Sequence, residues 1–247
     1  MVYIGSKNRL SKDIIKFIEP YYNDKVNYYE PFVGGANMID KIPKNVFKNI
    51  IGNDFNKYLI ALLNYMKTDN EIEYEFIEKE DWYNNYLYPF REGKLDGKYK
   101  DWYIGYIGFT KTFSSKFMKG YCGKNKDLKD IQRGPHNNIL KQRENIKHIK
   151  FIYGDYKDMI IENNSVVYLD PPYSNTIKYE VDIFHEEFYE WCRNLVNNKN
   201  CIVFVSEYNM PEDFECIFEK EYKQTLSANG KTTKAVEKLF ILKKDLK

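Results

Sequence analysis

Val166-Val167-Tyr168-Leu169-Asp170-Pro171-Pro172-Tyr173 is the stretch that decides the reading of this 247-residue chain. Its first four residues form a short apolar run, rich in β-branched side chains and bounded by turn formers, which predicts a buried strand. A strand that stops at a carboxylate, two prolines and a ring presents all of them at one end of a sheet. In open α/β sheets that end is where ligands bind. The set offers an acceptor carboxylate at Asp170, rigid carbonyls at Pro171 and Pro172, and a flat ring at Tyr173. It suits a planar amino group held in line with an electrophile; an ordinary proline turn is the alternative.

Two further islands lie upstream. Val26-Asn27-Tyr28-Tyr29 predicts a first strand running into Glu30-Pro31-Phe32-Val33-Gly34-Gly35, where adjacent glycines permit a tight turn and close backbone approach to a ligand. Asn49-Ile50-Ile51-Gly52 predicts a second strand, ending at Asn53-Asp54. An acid about 20 residues beyond a glycine turn is placed to bind ribose hydroxyls; capping the helix that begins near Asn56 is the alternative.

These islands resemble the Dam-like DNA adenine methyltransferases of the α order, in which the cofactor motif comes first and the catalytic motif late. Tyr3-Ile4-Gly5-Ser6-Lys7 is similar to that family's amino-terminal cofactor segment, Glu30 to Gly35 to its first motif, Asp54 to its ribose-binding acid, and Asp170 to Tyr173 to its catalytic motif. The resemblance implies S-adenosylmethionine as cofactor, with no metal. Tyr3, Gly5, Lys7, Glu30, Phe32, Gly34, Asp54 and Asp170 would line it, and Asp155 and Tyr156 would border its adenine or the target base. Asp155 is equally placed to cap a helix. The resemblance also implies that Asp170 and the Pro171 carbonyl accept the amino hydrogens of a flipped adenine while Tyr173 stacks on its ring. The family's best-known recognition sequence is not matched well enough to carry a target over.

Bulk properties set the class. Net charge is +2, but its distribution is uneven. Residues 67–109 sum to about −4 and residues 110–150 to about +8, the footprint expected where a phosphate backbone lies. A solvated face is the alternative. Cys122, Cys192, Cys201 and Cys216 lack CxxC spacing, and with three histidines they point to reduced structural thiols rather than zinc. No run is long enough to span a membrane, and no signal-peptide core opens the chain. The expectation is a cytoplasmic enzyme of a prokaryotic or phage-infected cell, acting on double-stranded DNA. Any restriction endonuclease would be a separate protein, since no nuclease motif is present.

The expected architecture is α/β: a doubly wound Rossmann-like sheet with a carboxy-terminal antiparallel hairpin, plus an inserted subdomain. Residues 1–66 and 148–247 form the expected catalytic domain and 67–147 the target-recognition insertion. Helices are expected through Leu10 to Ile18, Tyr58 to Met66 and Phe184 to Leu195, and strands at Ile149 to Tyr153 and Cys201 to Val205. The hairpin is expected from Tyr222 to Leu226 and Val236 to Leu242, with Asn229-Gly230 in its loop. In the insertion, Tyr106, Phe109, Phe113 and Phe117 fall at helical spacing. That predicts a buried stripe, with a base-stacking platform as the alternative. The other face would then carry Lys111, Ser114, Ser115 and Lys119, which with Lys116 are the expected phosphate contacts.

Rival readings share parts of this logic. Cytosine N4 methylation and adenine methylation in RNA would use the same apparatus. A nicotinamide dehydrogenase does not require Asp-Pro-Pro-Tyr, and a catalytically silent DNA-binding protein needs neither motif.

Overall fold

The computed structural model describes residues 1–3, 5–124, 127–172, 182–225 and 232–243, with side chains left undescribed at 182–185, 222–225 and 232–235. Tyr173 and Asn229-Gly230 lie outside the described residues.

Seven strands form one sheet: β1 (Asn23–Glu30), β2 (Phe47–Asp54), β3 (Lys150–Tyr153), β4 (Val166–Leu169), β5 (Ile202–Ser206), β6 (Phe214–Thr225) and β7 (Thr232–Leu242). Their order is β3-β2-β1-β4-β5-β7-β6. β1 to β5 are mutually parallel, and β7 runs antiparallel to β5 and β6. This is the expected doubly wound sheet with a terminal hairpin. All four residues of β4 are buried, which is why its sequence is continuously apolar rather than alternating. β6 starts eight residues before the expected hairpin. Its early part carries Glu215 and then Glu219-Lys220-Glu221 on an exposed edge, with a register shift between Cys216 and Phe218, so no apolar alternation marks it in the sequence.

The chain winds outward from β1 through β2 to β3, then returns to lay β4 against the other side of β1. Tyr28 and Tyr29 pair with Val166 and Val167. The winding direction therefore reverses between β1 and β4, and the crevice at their carboxyl ends is the topological switch point where such sheets hold ligands.

Helices α1 (Ser11–Ile18), α2 (Lys57–Met66), α3 (Lys79–Asp81), α4 (Tyr88–Arg91), α5 (Asp101–Thr110), α6 (Arg133–Ile146) and α7 (Asp182–Asn197) complete the frame, with a π-helical stretch Trp82–Leu87 joining α3 to α4. Asn56 begins α2 by accepting the Tyr58 and Leu59 N–H groups at 3.0 and 3.1 Å. α2 and α5 cross closely: Tyr65 stacks on Trp102 with ring centroids 3.7 Å apart. Ile77, Trp82, Leu87, Ile104 and Ile139 share one continuous hydrophobic cluster with Leu59, Leu62 and Phe151. Residues 67–147 thus pack into the same core as the sheet.

Residues 106–117 depart from the expected stripe. α5 ends at Thr110, so the helical period does not run on to Phe113 and Phe117. Tyr106 and Phe109 are buried, whereas Phe113 is 59% exposed. Ser114, Ser115 and Met118 have φ of 55°, 51° and 47°, left-handed backbone that side chains other than glycine rarely adopt. The segment is tied down at its base, with Phe113 N–H donating to Gly120 O at 2.8 Å and Cys122 N–H to Lys111 O at 2.9 Å.

Lys111 is a correction. It is fully buried, its Nζ donates to the Glu75 carbonyl, and it lies over the Tyr74 and Tyr106 rings at 4.7 and 5.2 Å. Burial pulls its ammonium down to about 8, against the attraction of Glu75 and Asp130. A lysine so enclosed is closed to a phosphate backbone. Cys122, Cys192 and Cys201 are buried thiols outside any disulfide, the Cys201 thiol donating to the Glu162 carbonyl at 3.5 Å, and Cys216 is exposed. Among the described residues no helix is long and apolar enough to cross a membrane, and no side-chain cluster could hold a metal ion.

Candidate active site

At the β1/β4 switch point lies a cavity of about 670 Å3, a volume suited to a nucleoside-sized ligand. Its walls include every cofactor residue expected from the sequence: Tyr3, Gly5, Lys7, Glu30, Phe32, Gly34, Asp54, Asp155, Tyr156 and Asp170. Pro171 and Pro172 join them. These residues come from five separate stretches, gathered because β1, β2, β3 and β4 all end on the same edge.

The glycine turn after β1 has a direct steric cause. Gly34 has φ of +48°, and a Cβ there would sit 2.8 Å from Tyr3 Cε1. A Cβ on Gly35 would meet Tyr3 Cβ at 2.6 Å and Asn37 Nδ2 at 2.8 Å. The amino-terminal segment therefore lies flat on the turn only because both residues lack side chains.

Asp54 secures this turn from β2. Its Oδ2 accepts the Gly34 N–H at 3.0 Å and its Oδ1 the Asn56 N–H at 2.9 Å. Burial lifts its carboxyl above the ordinary value, opposed by these backbone donors. The helix cap is Asn56, so Asp54 is not the cap of α2. Asp155 does cap its own short turn, accepting the Lys157 N–H at 3.0 Å, while also lining the cavity. Phe32 and Tyr156 pack with centroids 4.9 Å apart on one wall.

At the far wall, Lys7 Nζ lies 2.8 Å from Asp170 Oδ1. The lysine is buried; burial by itself pulls its ammonium down, and Asp170 with Glu237 overcomes this and holds it above the usual value. Glu30, also buried, accepts the Tyr28 hydroxyl at 2.8 Å, and burial pushes its carboxyl well above the usual range.

Of the residues expected to touch phosphate, Ser114, Lys116 and Lys119 are exposed. Lys116 and Ser115 line the cavity. Ser115 is buried and its Oγ has no hydrogen-bond partner, as has Asn37 Nδ2 nearby in the lining. Buried polar atoms without partners are rare enough to require a reason, and a polar ligand supplies one.

Sequence reading missed the supports. Gln142 on α6 donates from Nε2 to Gly35 O at 3.1 Å, Ala36 O at 3.0 Å and Asp40 Oδ2 at 2.9 Å. Asn53 Nδ2 ties Pro31 O to Gly154 O at 3.1 and 3.0 Å, clamping the ends of β1 and β3. Both act on partners far away in sequence, and no local pattern marks them.

The family model for D12 class N6 adenine-specific DNA methyltransferases matches residues 3–234. The chain belongs to that family. It is a methyltransferase, and the match agrees with the α-order motif reading. No curated protein matches the D12 chain in sequence. Among solved structures, the candidate methylase HI0767 of Haemophilus influenzae aligns at 12% identity and a TM-score of 0.38, over 95% of this chain and 88% of its own. SMU.472, a candidate methyltransferase solved in complex with SAH, aligns at 11% and 0.42, over 98% of this chain and 54% of its own. A candidate RNA methyltransferase, PH1948 of Pyrococcus horikoshii, gives 9% and 0.41 over 95% and 83%. At such scores the likeness adds nothing to the strand order itself.

Proposed function

We propose that this D12 methyltransferase transfers a methyl group from S-adenosylmethionine to the 6-amino group of an adenine flipped out of double-stranded DNA, at a specific sequence. The observation that carries the reading is Asp170-Pro171-Pro172 at the carboxyl end of β4, facing the glycine turn and Asp54 across one cavity. The residues fit the cofactor. Gly34 and Gly35 let the Tyr3 side chain close on the turn as one wall of the cavity, and the partnerless Asn37 Nδ2 and Ser115 Oγ give a polar ligand something to satisfy.

Tyr3, Gly5, Lys7, Glu30, Phe32, Gly34 and Asp54 would hold that cofactor, with Asp155 and Tyr156 bordering an adenine ring. When bound, it supplies a methyl group made electrophilic by a sulfonium. The rest of the chemistry belongs to the chain. The 6-amino nitrogen is a weak nucleophile because its lone pair is delocalised into the ring. Asp170 accepts one amino hydrogen and the Pro171 carbonyl another, drawing the nitrogen toward tetrahedral geometry, while the proline pair keeps both acceptors fixed. One preorganised partner of this kind is worth about 3–4 kcal/mol in the transition state, and alignment contributes much of the rest. The amino nitrogen would take the methyl group with its lone pair, the bonding pair leaving with the thioether product, and Asp170 would pass one amino proton to solvent. Tyr173 is assigned to stack on the base, contributing roughly 1–3 kcal/mol toward the few kcal/mol that flipping costs.

Ser114, Lys116 and Lys119 are assigned to the DNA backbone. Phe113, exposed on the same short segment, favours the stacking alternative over the buried stripe. The test is Asp170→Ala. Methyl transfer should be lost while DNA affinity stays within about twofold, because Asp170 acts in the transition state and touches no phosphate. Near-normal turnover by that variant refutes the assignment.

A further inference from the structure

Ser115 carries two costs at once. Its backbone is left-handed, with φ of 51° beside Ser114 at 55°, a conformation that serine adopts against its preference. Its side chain is buried, with the residue 3% exposed, and its Oγ has no hydrogen-bond partner among the described residues. Packing around it explains neither cost. Phe113 N–H donates to Gly120 O at 2.8 Å and Met118 N–H to Gly108 O at 3.2 Å, so the backbone on both sides of Ser115 is already held. Phe117 fills the space beside Gly108, where a Cβ would meet its Cε2 at 2.4 Å. Backbone strain and unsatisfied buried hydroxyls concentrate where a ligand offsets them.

Ser115 also stands on a boundary. It lines the cavity with Lys116 and Phe117, whereas Phe113 and Lys119 of the same segment are exposed. The segment is anchored at the Asp54 end of that cavity. The Phe117 ring stacks on Tyr58, in the first turn of α2, with centroids 5.5 Å apart. It also packs at 4.9 Å on Phe109, which in turn meets Tyr3 over the glycine turn at 5.8 Å.

We infer that Ser115 is a cofactor contact supplied by the DNA-facing segment: its hydroxyl hydrogen-bonds S-adenosylmethionine held beside Asp54, and this contact keeps Phe113, Lys116 and Lys119 in their DNA-binding arrangement. The inference rests on the function proposed above. A ligand shifts a segment only by its differential affinity for the segment's conformations. The hydrogen bond supplies that difference, because it exists only while the left-handed backbone keeps the hydroxyl in the cavity wall. Linkage makes the effect reciprocal, so the cofactor tightens DNA by the same factor as DNA tightens the cofactor.

The test uses the full chain, S-adenosylhomocysteine, which binds without reacting, and a duplex carrying the site that the enzyme methylates. Calorimetry should give a Kd for S-adenosylhomocysteine about fivefold higher in Ser115→Ala, the loss of one neutral hydrogen bond. Ser115→Gly, which suits the left-handed backbone, should show the same loss, so that the effect follows the hydroxyl rather than the chain geometry. Without ligand, Ser115→Ala should melt no lower than the wild type, since the hydroxyl has no protein partner to lose. In the wild type, S-adenosylhomocysteine should tighten duplex binding about tenfold, and in both variants that factor should fall to about 2 or less. DNA affinity without S-adenosylhomocysteine should stay within about twofold. An unchanged S-adenosylhomocysteine Kd in both variants, a ligand-free Ser115→Ala that melts early, or a wild type without coupling each overturn the inference. So does weakened DNA binding with intact S-adenosylhomocysteine affinity, which moves the hydroxyl to the target base. A wild type that binds no S-adenosylhomocysteine refutes the function proposed above, and the inference with it.

Discussion

Asp54 Oδ2 accepts the Gly34 N–H at 3.0 Å, so the carboxylate ending β2 fixes the turn that ends β1. The same group lines the cavity. On the proposed function, Asp54→Ala should weaken S-adenosylmethionine binding in two ways, by removing the proposed ribose partner and by releasing the turn. Calorimetry should show at least a tenfold rise in Kd, the loss expected when a charged hydrogen-bond partner worth about 1.5–3 kcal/mol is removed. Asp54→Asn keeps an acceptor for Gly34 and should fall in between. An unchanged Kd in Asp54→Ala would restrict Asp54 to local backbone support.

Gly105 tests the packing between α5 and α2. A Cβ there would sit 2.2 Å from the Tyr58 carbonyl oxygen on α2. Backbone on a packed helix does not yield as a flexible side chain would. Gly105→Ala gains up to ~1 kcal/mol in helix propensity but should cost about 3 kcal/mol in overpacking. The net loss of roughly 2 kcal/mol lowers Tm by about 4–8 °C for a chain of this size. A Tm at or above the wild type would mean that α5 and α2 separate easily.

Phe113, Lys116 and Lys119 should behave as DNA contacts, while Phe117 and Met118 between them pack into the core. Phe113→Ala should leave Tm within about 2 °C while weakening binding to duplex DNA. Lys116→Ala with Lys119→Ala should weaken specific and non-specific duplexes alike and reduce the salt slope by up to about 2, roughly 0.9 per phosphate. The methylated sequence should stay unchanged. Lys111→Ala should do the opposite, lowering Tm and leaving the slope alone, because its ammonium is buried on the Glu75 carbonyl. A Phe113→Ala protein that melts early with normal DNA affinity, or a double-lysine variant with an unaltered slope, would turn this segment away from DNA.

The chain advertises its sheet wherever a strand is buried on both faces. Val166 to Leu169 reads as a strand because every position is enclosed, and the same holds for most of β5. β6 begins earlier than its sequence suggests, since an edge strand facing water carries Glu215, Lys220 and Glu221 without losing its pairing. The motif residues were legible because each ends a strand and the strand ends converge. Phe113 was misread by extending a helical period past Thr110, where the helix stops. Lys111 misled for a related reason: a lysine that will be enclosed by Tyr74 and Tyr106 looks, in one dimension, like any other positive charge. Gln142 gave no signal at all, since its role exists only through Gly35, Ala36 and Asp40, which the fold brings to it from a distant turn.

The central claim is methyl transfer to the 6-amino group of adenine in DNA. Its most direct test is incubation of the purified protein with duplex DNA and S-adenosylmethionine carrying a labelled methyl group, followed by digestion to nucleosides and identification of the labelled product. The account predicts label in N6-methyladenine, retained with double-stranded DNA and absent with Asp170→Ala. Label in N4-methylcytosine, label acquired only by RNA, or an unlabelled digest would contradict it.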